Sequence, residues 1–324
     1  MSLRVFASAF ILAYAAAGFG QTAGWEEQRR AVIELRQQGR LHEALEAARK
    51  VLAGAERHDP GAVPLPLALH DYAIINGDLA LHAEAEKALL RGIRILEIAP
   101  TRDDPVIQIF RLRLAEVYLD AGRHKEAKAL FLELQRIWEQ TRPQSAELAM
   151  ALDHLAWLEV LGRNFAAAES LLQRSIRLLD AGTEMGALRR GDILNDYASL
   201  LFSMKRYAEA VSYGERVQAL FHGQDMENNP TLINTWTLLG AAYANTGRVQ
   251  EGEAYVRRAV SASQSIYGED SRRAGRLMAI AAVVLRRCGQ LAEAKSLKKK
   301  SDQILAKANR EDPGRFTVDV NALR

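Results

Sequence analysis

Cysteine is nearly missing from this sequence: Cys288 stands alone among 324 residues, so no disulfide can close within the chain. Stability has to come from packed apolar surface. Net charge is scarce as well, since 43 basic residues against 40 acidic ones leave +3, too even a balance for wholesale nucleic-acid binding. The sequence has no Gly-x-Ser-x-Gly phrase, no His-Glu-x-x-His phrase and no phosphate-binding glycine loop. Those absences remove the common signatures of nucleophilic hydrolysis, zinc proteolysis and nucleotide binding, and no catalytic residue, metal or cofactor is expected.

What is present is an ordinary soluble composition, 48% apolar and 26% charged. Arg4 precedes a run from Val5 to Ala17 that is apolar apart from Ser8 and Tyr14, and Gly18-Phe-Gly20 follows with small residues. That order reads as a secretory signal over residues 1–20, cut before Gln21, which makes the expected location periplasmic or secreted. The run is shorter than the roughly 20 residues a spanning helix wants, so no stable membrane span is expected after cleavage. No cysteine lies near Gly20 to accept a lipid.

A six-residue phrase recurs through the rest: Gly39-Arg-Leu-His-Glu-Ala44, Gly122-Arg-His-Lys-Glu-Ala127, Gly162-Arg-Asn-Phe-Ala-Ala167, Lys205-Arg-Tyr-Ala-Glu-Ala210, Gly247-Arg-Val-Gln-Glu-Gly252 and Gly289-Gln-Leu-Ala-Glu-Ala294. Ala80-Leu-His-Ala-Glu-Ala85 is a weaker copy between the first two. First positions at 39, 80, 122, 162, 205, 247 and 289 give a period near 42, with a turn shorter by one at the fourth copy. Repetition at fixed spacing implies stacked helix pairs, none able to bury its own apolar stripe alone. Glycine ends the leading helix by taking the left-handed conformation cheaply, and the alanine five residues on lets the trailing helix approach. Asp104-Pro105 and Asn229-Pro230 read as N-caps followed by proline at the first helical position. Val256, Ala259, Val260, Ser263 and Ile266 to Tyr267 mark one buried face.

Trp236, Leu239, Gly240 and Tyr243 stand at the W-x2-L-G-x2-Y spacing, and Leu114, Ala115, Tyr118, Ala127 and Phe131 take matching places in the third repeat. On these residues the chain resembles the tetratricopeptide repeat family. The 42-residue period and the phrase Ile266-Tyr-Gly-Glu-Asp-Ser271 resemble its kinesin-light-chain-like subclass. Gly252 and Val256 depart from the family's usual alanine and phenylalanine, and Asn76 from its aromatic. The resemblance covers residues 25–309 and leaves 310–324 as a tail, in which Phe316, Val318 and Val320 alternate as in a strand. It implies an all-α, right-handed superhelical solenoid of about seven antiparallel helix pairs, with a concave groove that holds a peptide or a protein partner.

Three polar pairs recur in the leading helices: His70 with Asp71, Asp153 with His154, and Asn195 with Asp196. The resemblance puts them toward the groove, with Trp157 nearby as an aromatic anchor or as part of the inter-repeat core. Polar groups at repeat spacing either hydrogen-bond an extended peptide or form a solvated helix face. As metal ligands they fail, because zinc needs donors about 2.0–2.2 Å away while packed helix axes stand about 8–10 Å apart. Basic clusters at Arg29-Arg30, Arg36 and Arg40, and at Arg272-Arg273, Arg276 and Arg286-Arg287, read as the polar outer faces of capping repeats. The expected function is non-enzymatic binding of a peptide or protein in the groove. The alternatives are an assembly subunit of a cell-envelope complex using its convex face or ends and, more remotely, a hydrolase built on the His/Asp pairs.

Overall fold

A computed structural model describes residues 23–38, 40–57, 64–98, 104–223 and 229–311. The expected signal segment, and the alternating Phe316, Val318 and Val320, lie outside the described residues. All regular structure among the described residues is helical: α1 Ala23–Gln37, α2 Leu41–Glu56, α3 Leu65–Asp78, α4 His82–Ile98, α5 Asp104–Asp120, α6 His124–Thr141, α7 Ala146–Leu161, α8 Phe165–Asp180, α9 Ala187–Ser203, α10 Tyr207–Phe221, α11 Pro230–Asn245, α12 Val249–Tyr267, α13 Arg272–Arg287 and α14 Leu291–Glu311. Odd-numbered helices lead each pair and even-numbered helices trail. The chain divides into two compact units, the first reaching Leu158 and the second starting at Glu159 within α7.

In the first unit α1 to α6 each pack on the next, and the leading helices α1, α3 and α5 also touch their neighbours. Its core is formed by Leu67, Leu89, Ile107 and Phe110, all essentially closed to solvent. In the second unit α8 to α14 pack in the same sequential way, and α9, α11 and α13 adjoin as leading helices. Trp236 is buried there, and α13 meets α14 through Ala274, Met278 and Ile304.

The recurring phrase closes each pair by one device. Gly122 takes φ +74°, the Arg123 amide donates to the Tyr118 carbonyl at 2.8 Å, and the Gly122 amide donates to Leu119 at 3.0 Å. These two bonds satisfy carbonyls that the end of a helix leaves unpaired. The same long bond joins Leu81 to Asn76, Arg206 to Leu201, Arg248 to Tyr243 and Gln290 to Leu285. Arginine follows the turn residue because its guanidinium pairs with the glutamate three residues on, as in Arg40–Glu43, Arg123–Glu126, Arg206–Glu209 and Arg248–Glu251.

The fourth turn corrects the sequence reading. Arg163, not Gly162, carries the positive φ of +59°, and the Asn164 amide donates to Glu159. Ala168 is then the closed packing position, whereas Ala167 is exposed. Counted from the left-handed residues 80, 122, 163, 205, 247 and 289, the steps are 42, 41, 42, 42 and 42, and the short turn disappears. Ala85, Ala127, Ala168 and Ala210 are all fully buried at the equivalent place.

The sixth repeat uses glycine there for a steric reason. A Cβ on Gly252 would stand 2.6 Å from the Gly240 carbonyl oxygen, and one on Gly240 would stand 2.4 Å from Val256 Cγ1. Helices α11 and α12 therefore cross closely enough to exclude a methyl group on either glycine. The expected cap at Asn229 is present, its side chain accepting from the Thr231 amide at 2.7 Å with proline next. The face expected on α12 is inward, with Val256, Ala259 and Ser263 buried.

Candidate functional site

Within the second unit α11 packs against its own trailing helix α12, against α9 and α10 before it and against α13 after it, which leaves one stripe open. On α9 the stripe is Asp192, Asp196, Ser199 and Ser203; on α11 it is Asn234, Leu238, Ala241 and Asn245; on α13 it is Arg276, Ile280, Val283 and Arg287. Each follows steps of three or four residues, one side of a helix. Equivalent members lie 42 residues apart, so the three stripes are in register across the second unit. In the first unit the corresponding positions include Asp71, Arg113, Glu116 and His154.

The predicted polar pairs turn out to be divided in role. The first member of each pair faces inward: His70, Asp153 and Asn195 are all buried. The His70 ring sits 5.3 Å from that of Phe110, and its Nδ1 lies 3.6 Å from Asp71. Burial lowers the His70 pKa, so the ring is neutral at physiological pH. Thr235 donates across to Asn195 Oδ1 at 3.0 Å, joining α11 to α9. These inward groups form no solvated face.

The second members hold the stripe positions, although Asp71 is itself buried there, and two of the three have protein partners. Asp71 receives a fork from Arg29, Nε at 2.5 Å and Nη2 at 2.9 Å, binding α1 to α3. Burial opposes the charge on Asp71, but the Arg29 hydrogen bonds and His70 outweigh it and hold the carboxyl below its usual range. His154 Nε2 lies 3.2 Å from Glu116, which also accepts from Arg113 at 2.6 Å, and the ring stacks on Phe131 at 4.9 Å. Asp196 differs: it has no hydrogen bond or ion pair with a described residue, and burial, reinforced by the charge of Asp192, pushes its carboxyl up to about 7. Asp192 accepts from Thr231 Oγ1 at 2.7 Å. Trp157 is 38% exposed, with the His124 ring 5.8 Å away. The first two pairs and Trp157 belong to one unit and Asn195 with Asp196 to the other.

Arg113, Glu116, Asp192 and Thr235 complete this arrangement and were not singled out from the sequence, and Arg29, which also belongs to it, was read there only as part of an outer face. The signal for one was available, because Arg29 to Asp71, like Arg36 to Asp78, spans 42 residues, the repeat period. Arg29 is consequently a buried inter-helix partner and not part of a polar outer face. The C-terminal basic cluster is partly engaged, with Arg272 donating to the Ala308 carbonyl and Lys300 pairing with Glu269. Cys288 is half-buried, its thiol donating to the Val249 carbonyl, and burial raises its pKa, which suits a packing role. Among the described residues no group of three or more His, Cys, Asp or Glu side chains is placed to hold a metal ion. No described helix is long and apolar enough to cross a membrane.

Comparison with known proteins agrees with this geometry: two models described as tetratricopeptide repeat match residues 106–181 and 237–273. Over those two stretches the chain carries tetratricopeptide repeats. Solved structures share the fold. Kinesin light chain TPR-like repeats from Podosopora anserina align at 22% identity and a TM-score of 0.51, over 62% of this chain and 95% of that one. The apo quorum sensor NprR from B. thuringiensis aligns at 13% identity and 0.65, over 85% and 74%. A Rap protein complexed with Competence and Sporulation Factor aligns at 11% and 0.57, over 92% and 91%. At these identities the likeness is one of fold. No curated protein matches the chain.

Proposed function

We propose that this tetratricopeptide-repeat protein is an exported, non-enzymatic binding scaffold that holds a peptide or protein segment along the open stripes of its leading helices. The observation that carries the reading is the register of those stripes. Equivalent side chains recur every 42 residues across α9, α11 and α13, with half-buried Leu238 and Ile280 and the 43% exposed Val283 beside charged groups. An in-register row of apolar and polar side chains suits an extended chain, which presents alternate side chains along its length. The Rap protein in complex with Competence and Sporulation Factor is a scaffold of this fold with a bound partner. Export rests on the order of charge, apolar run and small residues before Gln21.

Two experiments test the two halves. N-terminal sequencing of the mature protein should begin near Gln21 in the exported fraction; an intact Met1 in a cytoplasmic pool would overturn export. For binding, a partner captured from that fraction and mapped to a segment should lose at least tenfold in affinity for the Leu238→Ser, Val283→Asp variant, about 1.4 kcal/mol or more, with an unchanged circular dichroism spectrum. Unchanged affinity would move the interface off the stripe.

A further inference from the structure

The second unit's open face is graded in charge. Residues 42 apart form rows across the leading helices, and one row runs Asp196, Leu238, Ile280 while the row beside it runs Asp192, Asn234, Arg276. The rows therefore start on acidic side chains at α9 and reach basic Arg276 at α13, with apolar Leu238 on α11 and Ile280 and Val283 on α13 beside that path. None of Asp192, Asp196 and Arg276 is ion-paired with a described residue. Desolvation at this half-buried position and the charge of Asp192 push the Asp196 carboxyl up to about 7, with no ion pair to a described residue to offset them. The Arg276 pKa is pulled down by burial and by the like charges of Arg272 and Arg273. The two ends cannot relieve one another, since α9 and α13 are separated by α11, a span of about 16–20 Å for axes about 8–10 Å apart. That exceeds the Debye length of roughly 8 Å at physiological salt.

A single occupant of opposite polarity satisfies both ends while covering Leu238, Ile280 and Val283. We propose that the second unit selects extended polypeptide by charge order: a Lys or Arg of the ligand on Asp192 and Asp196, apolar side chains on Leu238, Ile280 and Val283, and an Asp or Glu on Arg276. At about 3.3–3.6 Å per residue, the span places the ligand's base and acid about five or six positions apart. The acidic end disfavours a nucleic-acid backbone, and an uncharged acyl chain leaves both ends unmet. This inference rests on the peptide-binding reading above and adds the chemistry of the ligand.

The test is selection of random dodecapeptides displayed on phage against the full chain, followed by fluorescence anisotropy with the enriched peptides as labelled synthetic probes. The expected pool carries a Lys or Arg and an Asp or Glu about five or six positions apart with apolar residues between. The Asp192→Asn, Asp196→Asn variant should bind such a peptide at least tenfold more weakly and lose selection for the base while keeping it for the acid; Arg276→Gln should do the reverse. Asparagine still accepts from Thr231, and replacing the peptide's Lys by norleucine probes the same contact with the protein unaltered. A pool without charge order, or affinities indifferent to these changes, would overturn the charge-order proposal and leave peptide binding standing. If Leu238→Ser, Val283→Asp selects the same peptides as wild type, or wild type selects none, the peptide-binding reading falls with it.

Discussion

Asp71 and Asp196 hold equivalent positions in two repeats, yet their surroundings move their protons in opposite directions. Asp71, forked by Arg29, has its pKa depressed, so its stabilisation is present above the unfolded value near 4 and is lost as pH falls through the folded pKa. Asp196 is raised to about 7, so between about 4 and 7 the unfolded chain gives up a proton that the folded chain retains. Its contribution to stability therefore declines as pH climbs through that window and is level above it. Urea midpoints of Asp196→Asn should show a shallower decline from pH 4 to 7 than wild type and a higher midpoint at pH 8; identical slopes would mean Asp196 titrates normally. Removing one partner of the buried pair is costlier than removing both, because it strands a charge. Asp71→Ala should lose about 3–5 kcal/mol, while Arg29→Met with Asp71→Leu should lose far less, as equilibrium urea melts at pH 7 would show.

At the scale of elements, what decides is how closely the two helices of a pair approach. Alanine usually favours a helix over glycine by roughly 1 kcal/mol. Gly252→Ala should nevertheless destabilise, because its Cβ would meet the Gly240 carbonyl oxygen at 2.6 Å and backbone has to move. A net loss of about 1–3 kcal/mol is expected from overpacking, read as a lowered urea midpoint; a gain would place α11 and α12 further apart than described. The pairing of helices and their packing alanines were legible in the sequence because they follow from local chemistry repeated many times. The fourth turn was misread for an equally physical reason: the left-handed backbone falls on Arg163, a residue type that gives no sign of it, beside a glycine that invites the assignment. The candidate site was legible only as positions. Which ladder members were already engaged depended on partners one period away, such as Arg29 for Asp71 and Thr235 for Asn195.

For the whole molecule, every helix pair in substantial contact among the described residues of either unit is one or two places apart in chain order. Damage should then stay local, as expected of nearest-neighbour arrays. Hydrogen exchange of Asp71→Ala should accelerate in α1 to α5 and leave α11 to α14 at wild-type rates; uniform acceleration would indicate one cooperative block. The division at Leu158 was not readable from the repeat pattern, which runs through α7 without a break. The same short reach governs how the protein comes into being. A leading helix finds its next leading neighbour 42 residues later, so at about 5–20 residues per second of emergence it waits about 2–8 s for its apolar side to be covered. Within either unit each emerging pair can therefore dock on the one before it, and the wait for covering surface is set by one repeat length.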